Sequence, residues 1–151
     1  MPSRRRAREF AMQALYAVDI GQVAGPNAMS ALWGAMVDGL PESSGLEEAA
    51  ATPDEIEFAQ SLVRGVLGDL AALDAKIEAA STNWRLARMP GVDRNILRVG
   101  AWELLHCDVP TPVIINEALE IAKRYGGAES RAFVNGILDR IANEAGRGRK
   151  R

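Results

Sequence analysis

The chain has one cysteine, Cys107, and one histidine, His106. No internal disulfide can form, and no His-rich metal site is possible. Cysteine usage this low suits a reducing cytosol. Threonine occurs three times against 25 alanines, and Val113-Ile114-Ile115 is the only run of β-branched residues. Strand-like alternation is nearly absent, which favours an all-α fold. No apolar stretch is long enough to span a bilayer, so no membrane association is expected. Between Glu9 and Val63 there is no lysine or arginine, against nine acids.

What is present is ordinary for a globular domain. The 151 residues are 48% hydrophobic and 25% charged, with a net charge of −2. A single domain covering residues 1–151 is expected. Eight of the 18 basic residues gather at the two ends. Residues 1–8 hold Arg4, Arg5, Arg6 and Arg8 with no acid, and four of the last five residues are basic. Such a chain offers a local basic patch rather than a uniformly cationic surface. The tail 146–151, with Gly146 and Gly148, reads as flexible. The N-terminal cluster runs instead into a helix. Glu9, Gln13 and Asp19 interrupt any apolar run there, so neither a signal peptide nor a transit peptide is expected.

Apolar spacing predicts about seven helices in a compact bundle. The first covers Arg4 to Ile20 and buries Ala7, Ala11, Ala14, Leu15 and Val18. Asn27 can cap a second, with Leu32, Trp33, Met36 and Val37 inward. The stretch from Pro41 to Ala51 reads as a loop. Thr52-Pro53-Asp54-Glu55 has the pattern of a capping box with proline in the first turn. It opens a helix with Ile56, Ala59, Leu62, Val63, Val66 and Leu67 inward. A break near Gly68 precedes a fourth helix on Leu70, Leu73, Ile77 and Ala80. Val92 to Cys107 is apolar around most of its circumference and should be central. Thr111-Pro112 repeats the cap-then-proline start, and Gly126 suits a helix end. The last helix, Ser130 to Asn143, buries Val134, Ile137, Leu138 and Ile141. Asn116 and Asn135 are candidates for buried amide hydrogen bonds.

No catalytic constellation emerges. His106 and Cys107 are adjacent, and neighbouring helical residues point about 100° apart, so neither activates the other. Cys107 reads as a small core residue. No glycine-rich nucleotide fingerprint follows a strand. Neither a cofactor nor a metal is expected, and no enzymatic activity.

The first helix says more. Met12, Tyr16 and Ile20 fall opposite the alanine stripe, along with Arg5, Glu9 and Gln13. Three apolar residues in a row there mean either a partner surface or a helix packed on both sides. Phe133 sits at the edge of its apolar stripe. It is either a core-edge ring or a platform for an RNA base.

Three segments carry a family resemblance. Arg4-Arg5-Arg6-Ala7-Arg8-Glu9 leads into Gln13-Ala14-Leu15-Tyr16. The central helix holds Asp93, Ile96-Leu97-Arg98 and Glu103-Leu104. Val109-Pro110 then precedes Ile115-Asn116-Glu117-Ala118, Ala122-Lys123 and Phe133-Val134-Asn135-Gly136-Ile137-Leu138-Asp139. In order and spacing these resemble the NusB family of bacterial transcription antitermination factors. The resemblance implies two small helical subbundles around a long central helix. It implies binding of boxA RNA together with NusE, and a place beside RNA polymerase, NusA and NusG on ribosomal RNA operons. Arg4, Arg5, Arg6 and Arg8 match the family's RNA-binding motif. Arg4, Arg5 and Arg8 could face one strand, with Gln13 hydrogen-bonding a base. Lys123, Glu129, Ser130 and Phe133 fall in the segment that borders the RNA. Tyr16 and Asp93 match the NusE interface, with Met12 and Ile20 beside Tyr16. Ala132 departs from the lysine common in relatives. Two other readings are an accessory domain of a ribosomal RNA methyltransferase and a structural homodimer. Nothing after Asn143 resembles a methyltransferase.

Overall fold

The computed structural model describes residues 4–38, 51–82 and 84–147. Seven α-helices make up the secondary structure of those residues, with two short 3-10 turns and no strand. They are α1 (Arg4–Asp19), α2 (Ala28–Asp38), α3 (Pro53–Gly68), α4 (Leu70–Ala80), α5 (Gly91–His106), α6 (Thr111–Tyr125) and α7 (Ser130–Glu144). The all-α reading holds. The helices group into two units, residues 1–67 and 68–151.

In the first unit α1 packs on α2. Ala7, Phe10, Ala11, Met12, Ala14 and Leu15 are buried on α1, and Leu32 and Met36 on α2. Gly21 ends α1 at a φ of 82°. The Gln22 N–H donates to the Ala17 carbonyl and Gly21 to Val18. This 6→1 and 5→2 pattern needs a left-handed residue, which glycine adopts without steric cost. Two expectations fail beyond that point. Gly25–Asn27 forms a 3-10 turn running into α2, in place of a simple Asn27 cap. Trp33, expected inside, is 58% exposed. The side chain of Val37 and residues 39–50, on which most of the expected Pro41–Ala51 loop falls, lie outside the described residues.

The start of α3 follows the sequence pattern. The Thr52 N–H donates to Glu55 Oε1 at 2.9 Å, and the Glu55 N–H donates to Thr52 Oγ1 at 3.2 Å. Both bonds satisfy donors that the first turn leaves over. Ala59, Leu62, Val63 and Val66 are buried, as the spacing required.

The second unit is arranged around α5, which packs against α4, α6 and α7. Its burial matches the expected central helix, but its interior is partly polar. Asn95, Arg98 and Glu103 are buried beside Ile96, Leu97, Val99 and Leu104. Arg98 forks onto Asp74 of α4, with Nε to Oδ1 at 2.8 Å and Nη2 to Oδ2 at 2.9 Å. A bidentate pair fixes the facing geometry of two helices more tightly than apolar contact does. Gly100 permits close approach: a Cβ there would lie 2.9 Å from Leu138 Cδ1.

Three details depart from expectation. Thr111 is the first helical residue of α6 rather than its cap, since Pro110 occupies the preceding position. Asn116 is exposed and Cys107 only half-buried. Arg147, expected in a flexible tail, donates to the Leu104 and Val109 carbonyls and so satisfies acceptors at and beyond the end of α5. Residues 148–151 of that tail lie outside the described residues.

Candidate nucleic-acid interface

The arginine segment forms the first turns of α1. Arg4 is exposed and Arg5 and Arg6 are intermediate, whereas Arg8 is buried at 4% exposure. The Arg4 and Arg8 guanidinium groups lie over the Phe58 ring of α3, at 4.3 and 5.2 Å from its centroid. A cation over an aromatic face is held electrostatically and keeps its charge. The Arg6 side chain is 12% exposed, with Nη1 3.9 Å from Glu55 Oε1. It also lies 5.5 Å from the Phe10 ring. The reading of Arg4, Arg5 and Arg8 as one RNA-facing row is therefore corrected. Arg8 is turned into the α1–α3 contact, and Arg4 and Arg5 are the accessible members. Sequence spacing missed this because nothing in it places Phe58 against α1.

The face opposite the alanine stripe is also divided. Met12 is 3% exposed and Glu9 fully buried, so neither faces solvent. Met12 is a core residue, because α1 is covered on more than one side. Gln13 and Tyr16 are partly exposed, and Ile20 is 43% exposed. Gln13, Tyr16 and Ile20 remain available to a partner.

In the second unit the structure brings together residues far apart in sequence. Asp93, in the first turn of α5, is 4% exposed. It accepts the Ser130 hydroxyl at 2.7 Å. Ser130 Oγ in turn accepts the Gly127 N–H at 2.9 Å. Burial pushes the Asp93 carboxyl above its ordinary value, and the Ser130 hydrogen bond opposes the shift. Two expectations are corrected here. Asp93 is a largely buried acceptor at the edge of a cleft rather than an exposed surface acid. Ser130 is buried rather than exposed, and its hydroxyl joins α5, α6 and α7. The same junction explains Gly126, whose φ of −94° is not left-handed. A Cβ there would meet Ser130 Oγ at 2.5 Å and the Ala122 carbonyl at 2.8 Å.

Lys123, in the last turn of α6, and Glu129, just before α7, are exposed. Phe133 is half-buried, and its ring centroid lies 5.5 Å from that of Trp84, tilted by 50°. Trp84 is 47% exposed. None of the apolar stripes read from the sequence includes Trp84, and it drew no role there. Its signal was a tryptophan in a chain with few aromatics, outside every apolar stripe. Two clefts flank the aromatic pair. One includes Ser81, Thr82, Gly136 and Arg140, and the other Pro90, Asp93, Glu129 and Ser130. Among the described residues no cluster of His, Cys, Asp and Glu could hold a metal ion. No described helix is long and apolar enough to cross a membrane.

The chain thus joins an arginine-rich helix start and a partly exposed aromatic pair to an all-helical fold. The NusB family model matches residues 5–143. The chain belongs to the NusB family. It is 47% identical to the transcription antitermination protein NusB of Sorangium cellulosum, over 97% of this chain and 96% of that protein. The fold is similar to that of T. maritima NusB, with a TM-score of 0.79, 37% identity, and coverage of 95% of this chain and 94% of that one. It is also similar to a NusB chain crystallised as antitermination factors NusB and NusE in complex with dsRNA. There the TM-score is 0.74 and the identity 25%, over 93% of this chain and 96% of that one.

Proposed function

We propose that the chain is a transcription antitermination factor that binds boxA RNA jointly with NusE and acts beside RNA polymerase, NusA and NusG on ribosomal RNA operons. Family membership over nearly the whole chain carries this reading. The related NusB found with NusE and dsRNA supports joint binding of NusE and RNA. The chemistry is binding, not catalysis. Arg4 and Arg5 contact phosphates, for which the planar guanidinium fork is suited. Arg6 and Arg8 hold the segment in place against Glu55 and Phe58. Gln13 hydrogen-bonds a base, and Phe133 supplies stacking surface, with Lys123 and Glu129 at its border. Tyr16 and Ile20 contact NusE.

The test is boxA affinity with and without NusE, measured against salt. Tighter binding with NusE, and a preference over an unrelated strand, are expected. Each phosphate neutralised adds about −0.7 to the slope of log affinity against log salt for a single strand. Equal affinity for both strands, with or without NusE, overturns the reading.

A further inference from the structure

The two clefts beside the Trp84–Phe133 pair differ in charge. The cleft with Pro90 carries the carboxyl groups of Asp93 and Glu129. The other is lined by Arg140, Ser81 and Thr82 and by no acid. A phosphate favours the second. Its walls also suit a base. Trp84 presents exposed indole surface, and Gly136 leaves open space where a Cβ would stand. The rings are too close, at 5.5 Å, to admit a third ring between them without a shift. A base therefore stacks on an outer face of the pair.

The cleft is also braced. Ser81 Oγ donates to the Trp84 carbonyl at 2.9 Å and accepts the Trp84 N–H at 3.2 Å. The Leu86 N–H donates to Glu78 Oε2 at 3.0 Å. Arg140 is exposed, and its Nη1 donates to the Ala80 carbonyl at 2.6 Å. That bond orients the guanidinium while leaving the rest of the fork for a second acceptor. The Trp84 backbone and one nitrogen of the Arg140 guanidinium are thus tied before any ligand arrives, and the indole rests against the Phe133 ring, which lowers the ordering cost of binding.

We propose that Ser81, Thr82, Trp84 and Arg140, with Phe133, form a subsite for one unpaired nucleotide of single-stranded RNA. Its base stacks on Trp84 and its phosphate lies at Arg140. The subsite rests on the RNA-binding reading and moves the stacking site to the basic side of Phe133. Trp84 is the principal platform, and Phe133 is the ring that backs it.

The full chain is labelled with 5-fluorotryptophan and titrated, with NusE, with a single-stranded boxA oligonucleotide. The three tryptophans give separate fluorine resonances, and Trp84→Phe assigns the one in question. RNA should shift the Trp84 resonance. Trp84→Leu should weaken binding roughly tenfold, the scale of one lost base stack. Trp84→Phe should restore most of that loss, because any aromatic face can stack. Arg140→Gln should reduce the magnitude of the salt slope by about 0.7, and Arg140→Lys should preserve it. If the parent binds boxA while the Trp84 resonance stays still and Trp84→Leu and Arg140→Gln behave as parent, the subsite is wrong and the RNA-binding reading survives. If the parent binds no RNA, both fall.

Discussion

The Ser130 hydroxyl donates a 2.7 Å hydrogen bond to the buried carboxyl of Asp93, joining the start of α7 to the start of α5. The bond spans 37 residues of sequence. It gives a structural role to two side chains that the resemblance assigns to binding. It also ties the electrostatics of α5 to the packing of α7.

Stability should depend on pH through this pair. Asp93 has a carboxyl raised above 3.8 by burial. The folded state then binds more protons than the unfolded chain between 3.8 and the raised value. This contribution favours folding most below 3.8 and is lost as pH rises through the folded-state value. Asp93→Asn should flatten that fall in urea titrations across the acid range. Ser130→Ala should cost about 1–3 kcal/mol, the usual loss when a buried acceptor loses its donor. An unchanged pH profile in Asp93→Asn would remove Asp93 as its source.

Gly126 and Gly127 should respond unequally to alanine. At Gly126 the new Cβ meets a backbone carbonyl at 2.8 Å, which cannot swing away, so a loss of about 1–3 kcal/mol is expected. At Gly127 nothing lies within 4 Å, and the change should stay within about 0.5 kcal/mol. Thermal unfolding of the two variants, side by side, makes the comparison.

The capping box of α3 offers a third measurement. Thr52→Ala removes the acceptor for the Glu55 N–H and should cost about 1 kcal/mol. Glu55→Gln should preserve much of the reciprocal bond to Thr52 but weaken the attraction to Arg6. Chemical denaturation of the two variants separates the cap from the ion pair.

Met12 and Tyr16, one helical turn apart, should separate stability from partner binding. Met12→Ala opens a buried site and should cost about 2–5 kcal/mol. Tyr16→Asp should weaken NusE binding in calorimetry while leaving the far-ultraviolet dichroism unchanged. A melted fold in Tyr16→Asp would make Tyr16 a core residue.

Arg4 and Arg5 should differ from Arg8 in the same way. Replacing Arg4 and Arg5 with alanine should flatten the salt dependence of RNA binding by about 1.4, two phosphates' worth for a single strand. Arg8→Ala should lower thermal stability, since it empties a buried place against Phe58. An Arg8→Ala variant with parental stability and a flattened slope would return Arg8 to the RNA.

The chain itself determined the helices and several of their ends, because these depend on contacts within a few residues. The capping box at Thr52 and the apolar periods of α3 and α7 are local, and each is found where the spacing puts it; the turn at Gly21 that ends α1 is local too. The family was also legible, since short motifs in fixed order survive without reference to packing. Tertiary structure alone decided which face of α1 meets solvent. A period of 3.6 residues separates one side of a helix from the other, but it does not count the neighbours that cover them. Phe58 drew Arg8 inward, and Met12 and Glu9 were buried with it. Ser130 met Asp93, and Trp84 met Phe133, across 37 and 49 residues of chain, because helix packing brings together side chains that spacing along the sequence cannot relate.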